Sequence, residues 1–118
     1  MTTRRKGKRG EALAASALEK AGYVIRERNW RCKMGEIDLV ALHRGEIVFI
    51  EVRARADGMD AALESIGARK QAKLMRLAEI YLEMHDLDDA AFRIDVVAVN
   101  LGPGGATETQ IIEDAVGW

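Results

Sequence analysis

Two neighbouring apolar segments of this chain each carry a carboxylate where a buried core is expected. Asp38 lies in the segment IDLVAL and Glu51 lies in the segment IVFIEV. Apolar runs of this length, bounded by glycine and charged residues, predict buried strands. Burying an ionised carboxylate costs several kcal/mol unless the group is paired or binds a cation. The chain is therefore restricted to folds that place both acids beside a compensating positive charge.

The polar sequence between the two segments, residues 43–46, is typical of a hairpin turn. Because side chains alternate across a strand, Glu51 and Arg53 are expected on one face, and Glu36 and Asp38 on one face of the preceding strand. If the strands pair across the turn, Asp38 and Glu51 come within reach of one metal ion. The alternative is a structural ion pair in which Arg53 neutralises one of the two acids.

Composition predicts one compact soluble domain. The 118 residues are 48% hydrophobic and 31% charged, and no apolar run approaches the roughly 18 residues of a membrane span. We expect a single domain over residues 1–118, in which residues 1–6 form a flexible basic tail. The lone Cys32 can form neither an internal disulfide nor a cysteine metal site, which favours a reducing cytoplasm.

Hydrophobic periodicity predicts an α/β fold. We expect helices at residues 8–21, 60–66 and 68–85, a turn at 57–58, and strands at 23–30, 36–42, 46–53, 92–100 and 107–116. The first strand is expected nearer the sheet edge. A helix that connects the third and fourth strands requires these two strands to be parallel, which gives a mixed central β-sheet flanked by α-helices. The buried stripe of the long helix is predicted to comprise Leu74, Leu77, Ala78, Tyr81 and Leu82.

Charge is unevenly distributed, although the net charge is only −1. Residues 1–33 hold ten basic and three acidic side chains, a net charge of +7, whereas the remainder holds eight and sixteen, a net charge of −8. A basic surface of this kind suits a phosphate backbone, because each Lys or Arg contact displaces a counterion. The alternative is a solvated basic tail. The candidate nucleic-acid contacts are Arg5, Lys8, Arg9, Arg55, Lys70 and Lys73.

Five motifs occur in an informative order: KRGE at 8–11, RNWR at 28–31, GEID at 35–38, VFIEVRAR at 48–55 and RIDVV at 93–97. Together they resemble the YraN family of bacterial proteins and, through it, the PD-(D/E)xK nucleases, which are metal-dependent phosphodiesterases. The resemblance implies a restriction-endonuclease-like core. It extends more loosely to Holliday-junction resolvases.

The resemblance also implies a site. Asp38 and Glu51 would hold Mg²⁺ or Mn²⁺, with the Val52 main-chain carbonyl and Glu11 as further ligands. The implied catalytic set is Asp38, Glu51, Arg53 and Glu11. The superfamily usually has lysine where this chain has Arg53, and arginine keeps its proton at ordinary pH, so it is a poor general base. Lys70, from the long helix, could take the place of that lysine in space.

Three functions follow as hypotheses. The first is a Mg²⁺-dependent endonuclease for which DNA is expected as the substrate in preference to RNA, and branched or structured DNA in particular. The second is a catalytically impaired nucleic-acid-binding module with the same fold. The third is an interaction protein whose acids are structural. Because one chain supplies one site, symmetric cutting of two strands would require a homodimer.

Overall fold

Two helices and five strands make up the part of the chain that the structure describes. The computed structural model describes the backbone of residues 3–55, 60, 64, 66–102 and 107–116, and their side chains except at 3–6 and 107. The elements are, in chain order, α1 (Thr3–Lys20), β1 (Val24–Cys32), β2 (Gly35–His43), β3 (Glu46–Arg55), α2 (Ala68–Met84), β4 (Phe92–Leu101) and β5 (Thr107–Ile112).

The strands form one mixed sheet in the order β1-β2-β3-β4-β5. β3 and β4 are parallel, and the other neighbouring pairs are antiparallel. The predicted hairpin of β2 and β3, the parallel pairing of β3 with β4 and the edge position of β1 are confirmed. A five-stranded mixed sheet with helices on it is consistent with a restriction-endonuclease-like core.

The two helices pack on opposite faces of the sheet. One core joins α1 to alternate residues of the central strands, for example Leu18 to Ile50 and Val97. The other core joins α2 to the intervening residues, among them Phe49 and Ile94. The buried residues of α2 are those predicted from its periodicity, namely Leu74, Leu77, Ala78, Tyr81 and Leu82.

Some predicted boundaries are wrong. α1 begins at Thr3, five residues before the predicted start, so residues 3–6 continue the helix where a flexible tail was expected. The turn at 57–58 lies outside the described residues, as does most of the helix predicted at 60–66. Among the described helices, none has the length and apolar content needed to cross a membrane.

A buried polar network centred on Arg93 lies where β4 begins. The Arg93 guanidinium donates to Asp95, Glu46 and Glu113, and the Tyr23 hydroxyl donates to Asp95 Oδ2 over 2.7 Å. Asp95 is fully buried. The pair of Arg93 and Asp95 forms part of a larger network that joins β3, β4, the residues after α1 and those after β5.

Candidate metal centre

The paired strands β2 and β3 separate where the two strand carboxylates lie. Their ladder runs from His43↔Glu46 to Leu39↔Ile50 and does not continue to Asp38 and Glu51. In place of a ladder bond, the main-chain N–H of Val52 donates to Asp38 Oδ2 over 2.8 Å. The gap between the strands therefore contains a carboxylate that is fixed by one backbone hydrogen bond.

Side-chain alternation is interrupted in both β1 and β2 at this level. In β2, Ile37 and Val40 both belong to the core against α2, although they are three residues apart. In β1, Trp30 packs in the same core, and Glu27 accepts a hydrogen bond from Tyr81 of α2. Regular strands place residues two apart on one face. Asn29, which lies between Arg28 and Trp30, has a φ of 54°, and the register of β1 with β2 shifts three residues earlier, between Ile25 and Glu27.

This interruption brings Asp38 together with an acid from α1. Single carboxylate oxygens of Glu11, Glu36 and Asp38 all lie within 4.8 Å of one another, and the three side chains are half-buried. α1 approaches closely because it carries Gly10, where an added Cβ would lie 2.7 Å from the Ala54 Cβ. Glu11 and Asp38 are predicted ligands, whereas Glu36 was expected only to share a strand face with Asp38.

Asn29 links two of these acids. Its amide Nδ2 donates to Glu11 over 3.1 and 3.0 Å and to Glu36 over 2.8 Å. The Arg31 Nε lies 3.0 Å from the other Glu36 oxygen, Oε2. Sequence reasoning missed the role of Asn29. The one available signal was an asparagine inside a strand, since asparagine accepts a positive φ more readily than most residues.

Asp38 is the acid with the least compensation. Burial, the Glu51 charge, a hydrogen bond with the Glu51 side chain and the Glu11 charge together raise its pKa to about 8, and only the Val52 N–H opposes them. In the metal-free protein, the Asp38–Glu51 pair therefore holds a proton at neutral pH. Asp38 and Glu51 are thus brought into contact, and a cation between them would relieve their repulsion.

Two basic side chains approach Glu51 from different elements. Lys70 Nζ of α2 lies 3.5 Å from Glu51 Oε2, and Arg53 Nε lies 3.2 Å from the same oxygen. The Arg53 N–H is not directed at this oxygen, so Nε is buried without a hydrogen-bond partner. The expected ion pair between Arg53 and Glu51 exists by distance, and the Arg53 Nε–H is a buried donor without a hydrogen-bond partner.

Exposed basic side chains lie around the acids. Lys8 and Arg9 precede Glu11 on α1, Arg55 ends β3, and Lys73 lies one helical turn after Lys70. The backbone of Arg5 lies in α1, but its side chain is outside the described residues. The opposite end of α2 is followed by acids, including Asp86, Asp88 and Asp89. The sheet therefore has a basic end that contains the carboxylates and an acidic end.

Trp30 packs against α2. Its ring is half-buried and meets Tyr81 edge-on, with 5.2 Å between ring centroids.

Comparison with known proteins gives one family. A family described as "Uncharacterised protein family UPF0102" matches residues 10–99. A UPF0102 protein of Chloroflexus aurantiacus is 48% identical over 97% of this chain and 94% of its own length. Similar proteins of the same description come from Roseiflexus castenholzii, 50% identical over 86% of both chains, and from Moorella thermoacetica, 51% identical over 84% of this chain and 83% of its own.

Proposed function

The chain belongs to the uncharacterised protein family UPF0102, the YraN family, and for this member we propose a divalent-metal-dependent endonuclease that hydrolyses phosphodiester bonds in DNA. The observation that carries the proposal is the convergence of Glu11, Asp38 and Glu51 at the basic end of the sheet. A cluster of carboxylates in which a buried member has a strongly raised pKa is typical of functional sites, and a cation would relieve the repulsion between Asp38 and Glu51.

The donor set fits Mg²⁺ or Mn²⁺. Both are hard cations that prefer carboxylate, carbonyl and water oxygens. Asp38, Glu51 and Glu11 would supply carboxylate oxygens. The Val52 N–H points into the gap between β2 and β3. In a strand, the N–H and the C=O of one residue point to the same edge. The Val52 carbonyl would therefore be a further ligand of the cation.

When bound, such an ion supplies Lewis-acid stabilisation of the phosphate and a water of lowered pKa. The side chains of the chain supply the rest. Arg53 and Lys70 place two positive charges beside Glu51, where they would stabilise the charge that develops on a phosphate. Asn29 would hold Glu11 in place through its two hydrogen bonds to that carboxylate.

The alternative function is a catalytically impaired nucleic-acid-binding module. It is favoured by the short distance between Arg53 and Glu51, because an arginine that neutralises a ligand carboxylate would weaken a cation site. The basic end of the sheet serves both functions equally. They differ in whether a bound strand is cut.

The expected substrate is DNA, with branched or structured forms preferred. Cutting both strands symmetrically would require two copies of the chain, so the proposal includes a homodimer. The lone, partly exposed Cys32 supports a cytoplasmic location as a further part of it.

A cleavage assay tests the proposal. Wild type is incubated with duplex, flap, four-way-junction and single-stranded DNA, and with RNA, in Mg²⁺ or Mn²⁺ and in a chelator. We expect metal-dependent cutting that Glu51→Gln abolishes and that Glu19→Gln, a control at the other end of α1, leaves intact. Nucleic-acid binding without cleavage under every condition would instead favour the catalytically impaired binding module. Absence of both binding and cleavage would favour an interaction protein whose acids are structural.

A further inference from the structure

The tip of the β1–β2 hairpin carries an exposed apolar side chain. Met34 is 52% exposed in the two-residue turn that joins Cys32 to its partner Gly35. A single exposed apolar residue is ordinary on a protein surface. Met34 is unusual in its position, because it projects from the basic end of the sheet beside the acids.

The base of this hairpin is held rigidly against α2. Trp30 and Cys32 pack in the core on that face. The Lys73 side chain packs against Gly35, where an added Cβ would lie 3.0 Å from Lys73 Cε. Gly35 has a φ of 147°, which L side chains rarely adopt. The tip is therefore a fixed projection.

The charges around the tip match a nucleic-acid backbone. Lys33 adjoins Met34 in the turn and is exposed, the Arg31 side chain is 76% exposed, and Lys73 lies against the hairpin base. Met84, the other exposed methionine of the described residues, lies at the acidic end of α2. Proteins that contact DNA through basic side chains frequently insert an apolar side chain, methionine among them, as a wedge between base steps.

We infer that Met34 is a wedge that enters the base stack of DNA at a strand interruption or branch. The inference rests on the proposed function and specifies its substrate class. Met34 precedes Asp38 by four residues, and because Met34 lies in the turn before β2, extended chain sets an upper limit of about 13 Å on the distance between their Cα atoms. This distance spans about four bases of one DNA strand. The wedge would therefore select DNA that already has a weakened base step within about four positions of the scissile phosphate.

The first test measures affinity by fluorescence anisotropy at constant salt, for a continuous duplex and for nicked and four-way-junction DNA. Met34→Gln should bind the interrupted substrates about tenfold more weakly. This factor corresponds to the lower end of the free energy that a methionine side chain gains when it is buried in an apolar environment. Its affinity for the continuous duplex should stay the same. Met34→Leu should retain wild-type binding, and the matched control Met84→Gln should be unchanged on all three substrates.

The second test places 2-aminopurine at successive positions from the interruption. Wild type should increase the fluorescence at one step by unstacking it, and Met34→Gln should lose that increase. The wedge is wrong if wild type binds DNA without an increase in 2-aminopurine fluorescence, or if Met34→Gln gives the same increase as wild type. Either result leaves the proposed function unaffected and would make Met34 a residue that contacts another protein or only solvent. If wild type binds no DNA, both the wedge and the proposed function are wrong.

Discussion

Lys70 Nζ lies 3.5 Å from Glu51 Oε2, so that a lysine of α2 reaches the carboxylate that β3 presents. Arg53, two residues after Glu51, contacts the same oxygen over 3.2 Å. The two cations differ in chemistry, because arginine is always charged and planar whereas lysine is a compact point charge. This pairing offers the proposed nuclease site a lysine beside Glu51, although position 53 itself is an arginine.

We predict that Lys70 supports cleavage by its charge. Lys70→Met should lower the cleavage rate by about 10²- to 10³-fold, as expected for losing one preorganised electrostatic contact to the phosphate. Arg76→Met, an exposed control on the same helix, should cut at the wild-type rate. Arg53→Ala should lose activity while its metal affinity equals or exceeds that of wild type. A large rate increase in Arg53→Lys would instead show that chemistry requires lysine at position 53.

We predict that metal affinity depends on pH through Asp38. Its pKa of about 8 means that a cation must displace a proton at neutral pH. The apparent Kd for Mn²⁺ should fall by about tenfold per pH unit from pH 6 to pH 8 and then level off. Calorimetry in buffers of different ionisation enthalpy should detect proton release in wild type at pH 7. Equal release by Asp38→Asn would contradict this assignment.

The same shift predicts a change in stability. The pKa of Asp38 rises from 3.8 to about 8 on folding, so its stabilising contribution is complete below pH 4 and is lost as pH rises toward 8. Metal-free Asp38→Asn should therefore melt above wild type at pH 8, by at least about 4 °C. The difference should shrink toward pH 4. A difference in melting temperature that stays constant from pH 4 to pH 8 would show that the ionisation of Asp38 does not cause it.

Gly10 should be irreplaceable at the contact between α1 and β3. In Gly10→Ala the new Cβ would lie 2.7 Å from the Ala54 Cβ, so the helix must move. We expect a loss of about 1–3 kcal/mol in the free energy of unfolding, together with weaker metal binding through displaced Glu11. Gly7→Ala meets nothing within 4 Å and should stabilise α1 by about 0.5–1 kcal/mol. Urea unfolding and metal titration of both variants provide the comparison.

DNA binding should depend on the first described turns of α1. Replacing Lys8 and Arg9 with alanine should reduce the slope of log affinity against log salt by about 0.9 for each lost phosphate contact. Lys20→Ala, at the far end of α1, should retain the wild-type slope. An unchanged slope after replacement of Lys8 and Arg9 would mean that these two side chains make no phosphate contacts.

The local pattern of the sequence determined the elements and much of the sheet. Strand and helix periods predicted the β2–β3 hairpin, the parallel β3–β4 pair and the buried stripe of α2, because these features depend on the spacing of apolar residues. Short-range propensity did not determine the start of α1. A tail was expected over residues 1–6, with the helix beginning at residue 8, whereas in the structure the helix begins at Thr3.

The sequence also determined that Asp38 and Glu51 approach each other, since both are fixed by one hairpin. Only the tertiary structure decided which other groups join them. Asn29 and Glu36 enter because the alternation of β1 and β2 is interrupted, and Lys70 enters because α2 crosses the sheet at that point. The Arg93 network likewise joins residues as far apart as Tyr23 and Glu113. Such contacts follow from the relative placement of whole elements, which local spacing does not encode.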